Sequence, residues 1–181
     1  MKKNLLSLTA ILALGFFTCN VEAQTSAKVT GTAASAKLIK PMTLVETSPL
    51  HFGTINVLTF AGGTVVLPSN SIARVFSAGV ASGIVAPQPT NAAYNVTGTK
   101  NVTYALFLPS TITVTESIDA TETMTISDLK ARFNGKNVDA VVSTLSATGT
   151  DSFTVGGTLA VKAGQGTGIY AGSFDVSVDY N

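Results

Sequence analysis

An all-β fold is what this sequence predicts, and three observations carry the expectation. The apolar residues are mostly Val, Ile, Phe and Ala interleaved with Thr and Ser, a composition that fits a pleated, half-buried surface. Gly, Pro and Asn interrupt these stretches at short intervals, as in chains of many short strands joined by turns. Alternation with a period of two is clearest near the end, where Phe174, Val176, Val178 and Tyr180 alternate with Ser173, Asp175, Ser177 and Asp179. That period puts the apolar set on one face of a strand and the polar set on the other. Short strands with frequent turns belong to sandwiches and barrels.

The first element, residues 1–23, reads as a cleaved signal peptide. Lys2 and Lys3 are basic, Leu5 to Phe17 is an apolar run too short for a membrane span, and Val21-Glu22-Ala23 offers small residues to a signal peptidase. Cleavage after Ala23 leaves a chain beginning at Gln24 and exported to the periplasm, the cell surface or the medium. Lipid attachment at Cys19 is the alternative, against which Phe16-Phe17-Thr18 stands as a poor match to the small residues that pathway requires. Cys19 is the single cysteine, so its loss leaves core packing and strand pairing to stabilise the fold without a disulfide.

Residues 24–35 are small, polar and free of aromatics, with Ala27, Val29, Gly31 and Ala33 in weak alternation. They read either as a flexible leader or as an edge or donor segment that orders in the groove of another subunit. Residues 36–181 read as a single domain, with strands expected at 36–46, 50–58, 63–67, 72–77, 93–97, 102–108, 112–115, 124–133, 152–155, 159–162 and 170–180. Asn134-Gly135 and Gly156-Gly157 are hairpin-type dipeptides, Pro87-Gln88-Pro89 marks an exposed loop, and Asp128 to Arg132 is where a helical turn would fit.

Charge narrows the partners. Removing Lys2, Lys3 and Glu22 with the leader leaves acidic and basic residues balanced, with 12% charged residues over the whole chain. Such a surface has no field for nucleic acid or anionic lipid. Low charge combined with a mean hydropathy of +0.39 suits a subunit packed against other copies of itself.

Catalytic parts are scarce. His51 is the single histidine, and between Leu50 and Phe52 on a strand it would face solvent while they face the core. One imidazole without a thiol lacks the parts of cysteine or zinc hydrolase chemistry, and no serine sits in a G-x-S-x-G elbow. Gly164-Gln165-Gly166-Thr167-Gly168 precedes a strand, so it reads as a turn rather than a phosphate cradle. Glu116, Asp119, Glu122 and Asp128 lack the density of a calcium loop and read as a solvated hairpin tip. Asn95-Val96-Thr97 and Asn101-Val102-Thr103 match the glycosylation pattern, which Thr-rich strands also produce by chance. No cofactor and no metal is expected, and the protein is expected not to be an enzyme.

Three blocks carry a family likeness: Pro49-Leu50-His51-Phe52-Gly53-Thr54-Ile55, Phe153 to Val161, and the tail from Gly164 to Asn181. Together they resemble a secreted bacterial domain of unknown function related to spore coat protein U and to chaperone–usher fimbrial subunits. In the tail, Gly168 stands fourteenth from the end and Tyr180 is penultimate, as in fimbrial subunits. The resemblance implies an immunoglobulin-like β-sandwich that is not membrane-spanning, pairs by strands with other copies or homologous subunits, and is handled by a periplasmic chaperone. Gly168, Tyr170, Phe174, Val176, Val178 and Tyr180 then form the chaperone-facing assembly tail. The expected function is that of an exported, non-catalytic subunit of a fimbria-like or other cell-surface structure serving adhesion. The alternative is a secreted ligand-binding sandwich, for carbohydrate for instance. That reading has few aromatic platforms to use, with no Trp and four Tyr.

Overall fold

A period-two pattern needs neighbours on both edges before it becomes a core, and the twelve-residue strand at the centre of the large sheet has them along most of its length. The computed structural model describes residues 27–181 apart from Thr59 and Val85. The proposed signal segment, with Cys19 and the cleavage site at Ala23, lies outside the described residues. Residues 27–37 belong to a first unit and are exposed and without regular structure. The second unit, Leu38–Asn181, carries every strand.

The strands are β1 (Thr43–Ser48), β2 (Ile55–Val57), β3 (Gly63–Leu67), β4 (Val75–Phe76), β5 (Val80–Ser82), β6 (Ala92–Thr97) and β7 (Thr103–Phe107). They continue as β8 (Thr111–Glu116), β9 (Thr123–Phe133), β10 (Val142–Thr144), β11 (Thr150–Val161), β12 (Tyr170–Ala171) and β13 (Ser177–Tyr180). Every pairing is antiparallel, and no helix occurs among the described residues, so none there is long and apolar enough to cross a membrane. The large sheet runs β1-β6-β11-β9-β8-β12, with β3 joining β11 to β4. A three-stranded sheet runs β10-β7-β13, and β2 pairs with β5.

The centre is β11. Its first half pairs with β6 and its second half with β3 on one edge, while β9 lines the other edge. Gly156-Gly157, expected as a turn between two strands, is instead the pivot of this single strand. Where the chain leaves β3 it crosses so close that a β-carbon at Gly156 would lie 2.6 Å from the Pro68 carbonyl carbon and 2.7 Å from the Ser69 nitrogen. On the other edge the register jumps, so that Asp128 and Leu129 face Gly157 alone. Asp128 takes a left-handed φ of 51° to make this bulge, which twists the sheet locally. Residues 128–132 are therefore strand, and the expected helical turn is absent because the ladder to β11 satisfies their backbone.

Other boundaries moved for equally local reasons. β1 is bracketed by Pro41 and Pro49 and begins at Thr43 rather than residue 36. The strand expected over 50–58 shrinks to β2 because Gly53, at φ 71°, breaks the extended run. Asn134-Gly135 turns the chain out of β9 without making a hairpin, since β10 pairs with β7 in the other sheet. β10 was hidden in the sequence because its inward residue is Ser143 while Val142 is exposed, which inverts the usual pattern.

Two adjoining clusters make the core. One gathers Phe52, Val65, Leu67, Ile112, Ile126, Leu159 and neighbours; the other gathers Tyr94, Val96, Tyr104, Leu106, Phe133, Leu145, Phe153 and neighbours. In the second, Phe153 stacks on Tyr94 with centroids 5.1 Å apart and meets Phe133 edge-on at 5.4 Å, geometries that suit aromatic quadrupoles. This cluster is built from β6, β9 and β11 of the large sheet and from β7 of the small one.

Candidate functional site

The tail expected as one strand from 170 to 180 is two strands in two sheets. Tyr170–Ala171 (β12) pairs with β8 in the large sheet, and Ser177–Tyr180 (β13) pairs with β7 in the small one. The break follows from packing. A β-carbon at Gly172 would run into the Thr113 carbonyl oxygen, so the chain passes there as backbone alone. Phe174 then sits at the crossing and packs against both core clusters.

The six tail residues thus fall into two groups. Gly168, in the loop before β12, and Tyr170, the first residue of β12, are tied down by the β8–β9 hairpin. The Glu116 carboxylate lies against Gly168, leaving no space for a side chain, and accepts from the amides of Ile118 (2.7 Å), Asp119 (2.6 Å) and Ile169 (3.3 Å). The Asp119 and Ile118 amides hold the Glu116 carboxyl below its usual range, against the opposing effect of burial. Glu122 accepts from Gln165 Nε2 at 2.6 Å, and Gln165 donates also to the Tyr170 hydroxyl, which itself donates to the Gly166 carbonyl. Glu116 is buried, so this hairpin tip is not the wholly solvated one expected. Its carboxylates serve as anchors for neighbouring loops.

Val176, Val178 and Tyr180 form the second group with Phe174. All four side chains turn toward the second core cluster and remain only half-buried, while Asp175, Ser177 and Asp179 are exposed. In the small sheet Ser177, Val178, Asp179 and Tyr180 pair with Phe107, Leu106, Ala105 and Tyr104 of β7. Among the described residues β13 has a hydrogen-bonded strand on one side, β7, and β1 has one on one side, β6. Met42 and Leu44, beside and within β1, pack half-buried against the same cluster. Two open edges therefore flank one incompletely covered row of apolar side chains.

The far end of β13 is closed by its own chain. The Tyr180 hydroxyl accepts from the Thr99 amide at 2.6 Å and donates to the Lys40 carbonyl at 2.7 Å. Gly98 has no side chain because the Tyr180 ring fills that space. Below it, the fully buried Tyr104 donates to Asp151 Oδ2 at 2.9 Å, and Ser143 donates to the same oxygen at 2.6 Å. Burial, then that hydrogen bond and the Asp151 charge, push the Tyr104 hydroxyl far above its ordinary pKa. Tyr180 was legible in the sequence, whereas Lys40, Gly98 and Thr99 were not, because nothing local marks a contact made across such separations.

Elsewhere polar side chains bond to neighbouring loops and strands. His51 is half-buried rather than solvent-facing: its Nδ1 accepts from the Gly53 amide at 2.8 Å, and its backbone bridges Thr90. Arg74 donates to the carbonyls of Phe52 (2.6 Å) and Thr54 (2.9 Å) with its guanidinium 5.0 Å from the centre of the Phe76 ring, and burial lowers its pKa. Asp139 accepts from Ser69 and from Arg132 Nε. Burial pushes its carboxyl up, but those bonds and the Arg132 and Lys130 charges outweigh it, leaving a weak base beside Ser69.

A family model for a domain of unknown function, DUF4402, matches residues 42–180. No curated protein and no solved structure matches.

Proposed function

The chain belongs to the DUF4402 family, and from that premise we propose that it is an exported, non-catalytic assembly subunit that pairs with other copies along the β13 edge. On this reading the two sheets are an immunoglobulin-like β-sandwich lacking a strand, as the resemblance to fimbrial subunits implies. Residues 1–23 are a signal peptide, and the site of action is the periplasm or cell surface. The observation that carries the proposal is the row Phe174, Val176, Val178 and Tyr180. It faces the core and stays half-buried beside an edge with a free ladder. Natural proteins usually blunt such an edge, since it templates pairing with another chain. A strand laid there satisfies the β13 backbone and finishes burying the row, which is the mode of β-augmentation. A periplasmic chaperone would cover the same edge before assembly.

The test is export of the full chain followed by sedimentation and electron microscopy of the product. Assemblies are expected from the full chain, and truncation before Phe174 should give a protein that degrades or aggregates. Normal assembly by that truncation would overturn the proposal. A ligand-binding sandwich, the competing reading, finds support in an apolar groove of about 470 Å³ lined by Leu106, Phe107, Leu108 and Val142. It predicts a monomer with or without the tail.

A further inference from the structure

We propose that the depression on the outer face of the large sheet, between the chain leaving β3 and the second half of β9, binds a neutral polyhydroxylated ligand the size of one sugar ring, held by the Arg132 guanidinium and the Asp139 carboxylate. The site shares no residue with the tail and goes beyond the assembly reading.

A break in the alternation of β9 creates it. Met124 and Ile126 are buried, and an uninterrupted period of two would carry on from them to turn Asp128, Lys130 and Arg132 into the core. The bulge at Asp128 reverses the phase, so that Ala131 and Phe133 are buried instead and the three charged side chains come out together on the outer face.

The opposite wall is the backbone that crosses over Gly156, and it is pinned in place. The Thr154 hydroxyl donates to the Ser69 carbonyl, and Asn91 Nδ2 donates to the Pro68 carbonyl at 2.6 Å. The Ser69 hydroxyl, buried, donates to Asp139 Oδ1, and that oxygen also accepts from Arg132 Nε at 2.9 Å. Both groups that would meet a ligand are therefore held before it arrives. The space between the walls is about 240 Å³, the liquid volume of about eight waters.

Charge and geometry then select the ligand. Arg132 faces Asp139, and Lys130 faces Asp128 at 3.1 Å on the exposed rim. Each cation has its carboxylate, so the site has no net field to draw an ion. What is left is directional. Arg132 Nη1 and Nη2 and Asp139 Oδ2 have no protein partner among the described residues, although the Arg132 side chain is only 18% exposed. A planar fork of donors thus stands beside a free acceptor. A hydroxyl both donates and accepts, so neighbouring hydroxyls on one ring satisfy fork and carboxylate together without bringing charge. An anion seated on the fork would lie against the Asp139 carboxylate and be repelled.

Titration of the isotope-labelled, exported chain with glucose, galactose and mannose tests this, read by nuclear magnetic resonance at the Arg132 Nε–H and the Gly156 and Gly157 amides. At least one sugar should shift these signals saturably at millimolar concentration. Arg132→Lys, which keeps the charge and loses the fork, should weaken binding at least about tenfold, the scale of one hydrogen bond to a charged group. Asn70→Trp, at an exposed turn position on the rim, should block the sugar while circular dichroism stays unchanged. Silence with all three sugars, or undiminished binding by Asn70→Trp, overturns the site. Tighter binding of glucuronate or inorganic phosphate than of the neutral sugars overturns the ligand class. Neither outcome depends on whether the chain assembles.

Discussion

β11 and β13 are both written in period two, yet one is sealed and the other is open. Phe153, Val155 and Leu159 of β11 are 2%, 0% and 3% exposed, because β6 and β3 cover one edge, β9 the other, and a second layer covers the face. Val178 and Tyr180 of β13 carry the same alternation and are only half-buried, with β7 on one side alone. The contrast shows that alternation specifies which face turns inward, whereas the number of neighbours decides how far that face leaves water. An incompletely covered row is therefore a statement about missing neighbours, and it is where the proposed pairing would fall.

The strongest way to break the sealed region is Gly156→Val. The added side chain must displace the backbone of residues 67–69, for which no rotamer change compensates. A loss above about 4 kcal/mol, the range reserved for severe overpacking or strain, should leave little folded protein by circular dichroism. Phe153→Ala should come next, costing about 3–5 kcal/mol in urea unfolding, as for other buried aromatics truncated in a core. The matched change at the open edge, Val178→Ala, should cost no more than about 1 kcal/mol, since a half-buried Val has gained only part of the full burial energy. Equal losses at Phe153 and Val178, after allowing for size, would show the edge to be sealed.

The lock at the closed end should respond in between. Tyr180→Phe keeps the ring against Gly98 but strands the Thr99 amide and the Lys40 carbonyl, at a cost of about 1–2 kcal/mol. Thermal unfolding measures it, and no change would mean that water replaces the hydroxyl freely.

The mildest test concerns the other half of the tail. The Glu116 carboxyl is held below its ordinary value of 4.5, so its stabilisation is present above pH 4.5 and is lost as pH falls through the lower folded value. Glu116→Gln should flatten the decline of Tm as pH falls below 4.5 and leave the course of Tm with pH near neutrality unchanged. A variant with the same acid limb as the unaltered protein would show that other carboxylates govern it.

Much of the fold was legible along the chain. Strands β3, β6, β7, β8 and β9 stand within one residue of their expected limits, because each alternates over several residues between clear turn signals. β5 and β10 were not legible, being short and carrying little inward apolar pattern. Gly156-Gly157 misled because a glycine pair has the same appearance whether it serves a turn or admits a crossing backbone. Of the site, the inward row from Phe174 to Tyr180 was visible, and its division from Gly168 and Tyr170 was not.

By itself, then, the sequence determined the all-β class and the faces of most strands. Those are properties of neighbouring residues, set by pleat geometry and side-chain chemistry. Tertiary structure alone decided that β11 is one strand with three partners, that the tail crosses between sheets at Gly172, and that Tyr180 closes against Lys40 and Thr99. These depend on which distant segments share space, a result of packing the whole chain that no local period encodes.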